Sequence, residues 1–485
     1  MKVPYHPRGV ELPEKASGAG LKQAFGQAED FLSLRIDLVD GGEAMLYWIN
    51  GMAKTERLND YIVRPLSTIH LGRAPAKAIQ AGGVWTMVAK PPQNLEEACT
   101  ALTEGSCAVE VGDTLLLVPV PTEEKRSITA PEDEPSQKGA KDSFVEAIRT
   151  NTSLIRRRLH TWRLRIKAVT VGRESKTKVE VVWVEGITDP NLVDRAMKQV
   201  EAMDVDVLVN TQLLTDSLTQ GQHTLFPLVV TTQRPDRFCQ GLMNGRVGLF
   251  CDGIAQGWLV PGTVAPYFRA PQDRNNQWVV IRFLMAVRYL CVAISLLLPA
   301  GYISMAAFHF GLMPAGMAET VSAARQNVPI SPPLEVVVLL VAFEILQEAG
   351  LRLPQLNGQS VSIIGSLVVG QAAVEAKLLS PVVVVVIAAA GIAGYTLPDQ
   401  DLANALRTVR LALAVLASFF GIVGVTLGLA WLSCHLAELT PLGVPWLAPF
   451  APDVPKSACD VSKVPVRKAK LRELFLHPQD KRSQK

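Results

Sequence analysis

The sequence predicts a cytosolic α/β region of two subdomains followed by an all-α multi-pass transmembrane domain. Three observations lead there. Strand, helix and hairpin signals occur in the same order twice before Tyr289. After Tyr289 come uncharged apolar runs long enough to cross a bilayer core of about 30 Å. The near end lacks an apolar leader and the far end is basic, which places both on one side of a membrane. The 485 residues are 48% hydrophobic and 19% charged, high for a wholly soluble chain. A net charge of +3 argues against a dedicated nucleic-acid binder. Seven scattered cysteines without a C-x-x-C pair fit reduced thiols better than a disulfide or zinc framework.

The first subdomain is expected over residues 1–120. Met45–Asn50 reads as a strand, Lys54–Ile62 as a helix, and Leu95–Glu104 as a helix stopped by Gly105. Val109–Val111 and Leu115–Val118 read as a hairpin around Gly112 and Asp113. A linker, 121–141, is rich in proline and charge. The second subdomain, 142–280, repeats the pattern. Val179–Glu185 alternates with the strand period. Asp189 and Pro190 open a helix with the apolar stripe Leu192, Ala196, Val200 and Met203. Val205–Val209 reads as a short strand, and a helix runs from Pro235 to Gly245. Val247–Cys251 and Trp258–Val260 flank Asp252-Gly253 as a hairpin. Gly51 falls where Gly186 does, and Cys99, Leu102 and Gly105 fall where Cys239, Leu242 and Gly245 do. Both an internal duplication and a chance recurrence of α/β order fit that pattern.

The membrane domain is expected over 281–446. Tyr289–Phe308 carries no charge, and Pro299 inside it suggests a kink. Leu411–Cys434 reads as a second clear span. Pro333–Leu346, Ser360–Val374 and Leu378–Leu397 lie between them, and the first two are short and interrupted by polar groups. Such segments are half-spanning helices or helices buried among others. The tail, 447–485, holds Lys456, Lys463, Arg467, Lys468, Lys470, Arg472, Lys481, Arg482 and Lys485, which the positive-inside rule keeps in the cytosol. With both ends inside, the number of crossings is even.

No phosphate-binding glycine loop, H-E-x-x-H or G-x-S-x-G motif occurs, and the seven histidines show no metal-ligand spacing. The chain reads as no enzyme, with no cofactor and no metal. Arg149, Arg156, Arg157, Arg158, Arg163, Arg165 and Lys167 form a basic run that suits lipid head groups or, more blandly, a solvated helix face. In the membrane half, Gln359, Ser362, Ser366 and Val369 share one helical face and could line an ion path, or simply pack helices. Glu344 joins them as an acid at membrane depth. Gly421, Gly424 and Gly428 form a smooth face for close contact between spans or subunits.

The runs Phe144–Arg158, Val184–Ile187, Arg234–Arg237 and Asn244–Val247 stand out in the soluble half. In the membrane half Leu298-Pro299, Phe308-His309, Ala324-Arg325, Glu348–Pro354, Gly358–Gly365 and Gly370–Val374 do the same. In these runs, from about Phe25 to Pro452, the chain resembles the A subunits of GerA-type spore germination receptors. The resemblance implies a multi-pass protein of the inner spore membrane, with a permease-like B subunit and a lipoprotein C subunit as partners. It implies homo-oligomers that form a nutrient-gated channel releasing cations. Three positions depart from the family pattern: Leu340 replaces an acid, Gln347 an arginine and Gln400 an aromatic. A non-conducting membrane scaffold that docks partner subunits, or a sporulation-stage paralogue, would share this architecture.

Overall fold

Two antiparallel sheets organise the first half of the chain. The computed structural model describes residues 13, 15–26, 28–70, 72, 75–83, 89–122, 134, 139–208, 210–219, 221–352, 370–452 and 471–483. They divide into two units. One comprises Met1–Gln222, Leu228–Thr263 and Thr440–Lys485; the other comprises His223–Pro227 and Val264–Leu439.

In the first unit, β1 (Phe31–Asp37), β2 (Glu43–Ile49), β3 (Ser106–Val111) and β4 (Thr114–Pro119) form a sheet in the order β1-β2-β3-β4. Helices α1 (Gly18–Phe25) and α2 (Leu95–Thr103) pack on it through Leu21, Phe25, Leu95, Cys99 and Leu102. Asn94 caps α2 by accepting from the Glu97 amide, as asparagine at that position should. The 148–158 stretch becomes α3 (Ile148–Arg158). The second sheet runs β5 (Leu164–Val171), β6 (Thr177–Val184), β8 (Val247–Cys251), β9 (Gly257–Val260) and, at its edge, β7 (Val230–Thr232). Helices α4 (Pro190–Glu201) and α5 (Thr211–Leu218) cover one face. α3 and α6 (Pro235–Asn244) cover the other, where Phe238 stacks on Phe250 at 4.5 Å.

Both expected hairpins are present. The orders β1-β2-β3-β4 and β5-β6-β8-β9 correspond, and the paired glycines share a left-handed backbone: Gly51 and Gly186 at φ 84° and 77°, Gly105 and Gly245 at 96° and 105°. Topology and glycine placement thus repeat together, which chance order alone does not require. The described part of Val205–Val209 is not a strand. Its carbonyls are taken instead by a turn: Arg173 N–H donates to Val205 O, and Glu174 and Ser175 N–H donate to Asp206 O. The basic run does not form one helix face. The helix stops at Arg158, and Arg165 and Lys167 lie on β5. Arg156 is fully buried and donates twice to Asp30, at 2.7 and 2.9 Å. Arg165 donates to the carbonyls of Ala24 and Phe25 and to Glu185, bolting α1 to the second sheet.

The helical unit holds Val264–Leu439. The C-terminal segment returns to the α/β unit. Leu442 joins the core under α4, and Phe475 and Leu476 bury against Val444 and Ala448. Glu473 accepts from Arg246 at 2.7 Å and from Asn244 at 3.1 Å. Most of the expected basic residues of the tail, from Lys456 to Lys470, lie outside the described residues.

The helical unit contains α7 (Trp278–Ile303, continued by a wider turn to Phe308), α8 (Ala315–Ala324), α9 (Pro332–Arg352), α10 (Pro381–Gly394) and α11 (Gln400–Glu438). Two of these, Trp278–Phe308 and Gln400–Glu438, are long and apolar enough to cross a membrane by length and composition. The second is not a straight span. At Gly421 the backbone leaves the helix, with φ 57° and ψ −137°. A Cβ on Gly424 would lie 2.4 Å from Leu416 O, and one on Gly428 would lie 2.5 Å from a Leu413 methyl. A straight helix would hold Leu413 and Gly428 about 22 Å apart. The chain therefore doubles back at a single glycine, and the expected span Leu411–Cys434 is an antiparallel hairpin. Its uncharged arms measure about 15 and 20 Å, short of a bilayer core.

Candidate functional site

The helical unit gathers charge where its helices cross. Pro332 and Pro333 open α9, Ser380 caps α10 by accepting from the Val383 amide, and Asp399 caps α11 by accepting from the Leu402 amide. α9 and α10 run parallel: Glu335 meets Ser380, Phe343 meets Gly391, and Gln347 meets Tyr395. Gly391 is glycine because any side chain would strike the Phe343 ring, 2.6 Å from its Cβ position. That close approach sets the depth of Phe343, and Arg410 of α11 lies 6.0 Å above the same ring.

Glu344, next along α9, holds two guanidiniums. Arg407 Nε donates to Oε2 at 2.9 Å, and Arg410 Nη2 donates to Oε1 at 2.6 Å. Arg407 is steadied by Asn404 at 2.9 Å. Arg410 is almost wholly buried, and its Nε has no hydrogen-bond partner among the described residues. Two guanidiniums against one carboxylate leave one net positive charge. About 16 Å of helix separates Arg410 from the turn at Gly421. Phe308, at the far end of α7, packs against that turn, 2.9 Å from where a Gly421 Cβ would stand. Glu344 and Arg407 are partly exposed, whereas Arg410 is buried, so removing Glu344 would strand the Arg410 charge.

A second polar point lies toward the opposite end of α9. Glu335 is fully buried and accepts from the Ser380 amide, capping α10, while its Oε2 has no partner among the described residues. The Ser380 amide is one of the orphan donors of a helix start, so an acid there is well placed.

Of the residues expected to line an ion path, Gln359, Ser362, Ser366 and Val369 lie outside the described residues; Glu344 is described and is clamped by arginine. Gly421, Gly424 and Gly428 do permit close contact, but between the two arms of α11 and with Phe308. Sequence reasoning passed over Arg407 and Arg410. They stand immediately before the uncharged run, one helical turn apart, and that flanking position was the available signal. Leu340, where an acid was expected, is buried, and Gln347, where an arginine was expected, donates to the Tyr395 hydroxyl. Among the described residues no group of three or more His, Cys, Asp or Glu is placed to hold a metal ion.

Comparison with known proteins gives consistent matches. The family described as Bacillus/Clostridium GerA spore germination protein matches residues 19–475. Spore germination protein B1 of Bacillus subtilis is 29% identical over 469 residues, covering 95% of this chain and 96% of its own length. Spore germination protein A1 of the same organism is 30% identical over 363 residues, covering 74% and 75%. The uncharacterized membrane protein YfkQ of B. subtilis is 30% identical over 428 residues, covering 87% and 83%. Among solved structures, the N-terminal domain of the A subunit of the Bacillus megaterium spore germinant receptor GerK3 aligns at 21% identity with a TM-score of 0.41, covering 53% of this chain and 99% of that domain.

Proposed function

The chain belongs to the Bacillus/Clostridium GerA spore germination protein family, and from that premise we propose that it is a membrane subunit of a spore germination receptor. In this reading copies of the chain assemble into a nutrient-gated ion channel that releases cations at the start of germination. The observation that carries the reading is the family match, which spans both the α/β unit and the helical unit. The helical unit sits as a multi-pass domain in the inner spore membrane, with the α/β unit and the C-terminal segment in the cytosol. The partners are a permease-like B subunit, a lipoprotein C subunit, membrane lipid and further copies of the chain. Gln359, Ser362, Ser366 and Val369 line the ion path, and Glu344 borders it as the anchor that holds α9 on α11.

One observation favours a second reading, a non-conducting scaffold. The excess positive charge at Glu344, Arg407 and Arg410 opposes cation passage through a single helical unit. Spores separate the two. Deleting the chain together with its relatives abolishes nutrient-triggered cation release under the channel reading. Ser366→Trp, present at normal level, lowers that release if the polar face lines the path; unchanged release removes this face from consideration.

A further inference from the structure

Glu180 is a buried acid of the α/β unit. It lies on β6 between Val179 and Val181, opposite Ala168 of β5 and Phe250 of β8. Side chains alternate along a strand. Val179 and Val181 therefore face α4, whereas Glu180 faces the layer of α3, where Phe250 meets Phe144 and Phe238. Its side chain is 1% exposed, and neither carboxylate oxygen accepts a hydrogen bond among the described residues.

This is also where the two subdomains meet. Glu29 N–H donates to Ile166 O of β5, Asp30 takes both bonds from Arg156 of α3, and a Cβ on Gly51 would strike Ser153 of α3. The charged groups around Glu180 come from α3, from the segment leading into β1 and from β6. Arg149 of α3 stands 3.8 Å away and is partly exposed, Glu29 and Asp30 belong to the segment leading into β1, and Lys178 lies on β6 itself.

We propose that Glu180 is a proton-operated joint between the two α/β subdomains. Protonated, it is neutral and tolerates its dry position, so α3 and the Glu29–Asp30 segment close over it. Ionised, it needs water and repels Glu29 and Asp30; Arg156 already engages Asp30 and Arg149 is partly exposed, so they offset only part of that and the joint loosens. Burial pushes the Glu180 carboxyl up to about 7, with Arg149 opposing the rise and Asp30 and Glu29 adding to it. The joint therefore responds near neutrality. It concerns the cytosolic unit alone and stands whether or not the chain conducts ions.

Hydrogen exchange on the full chain in detergent micelles tests this, comparing wild type with Glu180→Gln at one pH so that intrinsic exchange cancels. At about pH 8.5 the amides of Glu29, Asp30 and α3 should exchange at least about tenfold faster in wild type than in the variant, while α4 is unchanged; at about pH 5.5 the two proteins should match. Equal exchange at both pH values, or a difference spread evenly over α4, overturns the proposal. Should the variant not fold, wild type alone decides. The ratio of joint exchange to α4 exchange must rise at least about tenfold between those pH values, and a constant ratio overturns it.

Discussion

Arg410 Nη2 and Glu344 Oε1 stand 2.6 Å apart although 66 positions separate them in the chain. With Arg407 they tie the first arm of the α11 hairpin to α9. Because Arg410 is buried, the tie is a requirement of folding as much as an attraction.

Removing the acid alone should therefore be costly. Glu344→Ala leaves the Arg410 charge buried without its partner and is expected to lower stability by about 3–5 kcal/mol. Glu344→Leu combined with Arg410→Leu should lose far less, because no charge is stranded. Unfolding curves in detergent for wild type, each single variant and the pair check this. Equal losses for the single and double variants would count against a coupled pair.

The reversal at Gly421 makes a geometric prediction. Leu413→Cys with Gly428→Cys should form a disulfide under mild oxidation, since the two positions touch across the hairpin. In a continuous helix they would lie about 22 Å apart and could not be bridged. Peptide mapping after oxidation reads the outcome. Gly421→Ala should cost about 1–3 kcal/mol, because that backbone conformation is nearly exclusive to glycine.

The C-terminal segment should behave as part of the α/β unit. Reversing one charge, Arg246→Glu, places a second acid beside Glu473 and is expected to cost about 3 kcal/mol. Adding Glu473→Arg should recover most of that loss. Hydrogen exchange across Leu471–Ser483 should rise steeply in the single variant and return toward wild type in the pair.

Glu180 sets the sign of a pH dependence. Burial pushes its carboxyl from the ordinary 4.5 up to about 7, so the folded protein holds the proton more tightly. That contribution is fully present below about pH 4.5 and is lost as pH rises through about 7, a change of roughly 3 kcal/mol. Thermal midpoints between about pH 5 and 8 should fall in wild type relative to Glu180→Gln. Parallel curves for the two proteins would contradict this.

Much of the α/β unit was legible because its signals are local. Asp252-Gly253 between alternating strands and Pro190 behind Asp189 act through their immediate neighbours. The strand β5 was hidden by its charge, since Arg165 and Lys167 read as part of a basic helix face, although Leu164, Ile166 and Ala168 alternate. Val205 and Asp206 have the composition of a strand, but their carbonyls accept from the turn after β5 rather than from a strand. The hairpin of α11 was illegible for a physical reason. One glycine reverses the chain without a proline or a polar turn, so the apolar run continues unbroken through it. The partners of Glu344 were illegible because helix pairing across 63 and 66 positions leaves no periodicity to read.

Conduction of ions in answer to nutrient is the proposed role of this chain. The most direct measurement is cation flux from liposomes holding the purified chain with the proposed permease-like and lipoprotein subunits. The channel account predicts flux on nutrient addition that vanishes when this chain alone is omitted. Partner subunits bound in the liposomes, with no flux in either case, would contradict it and leave the scaffold reading.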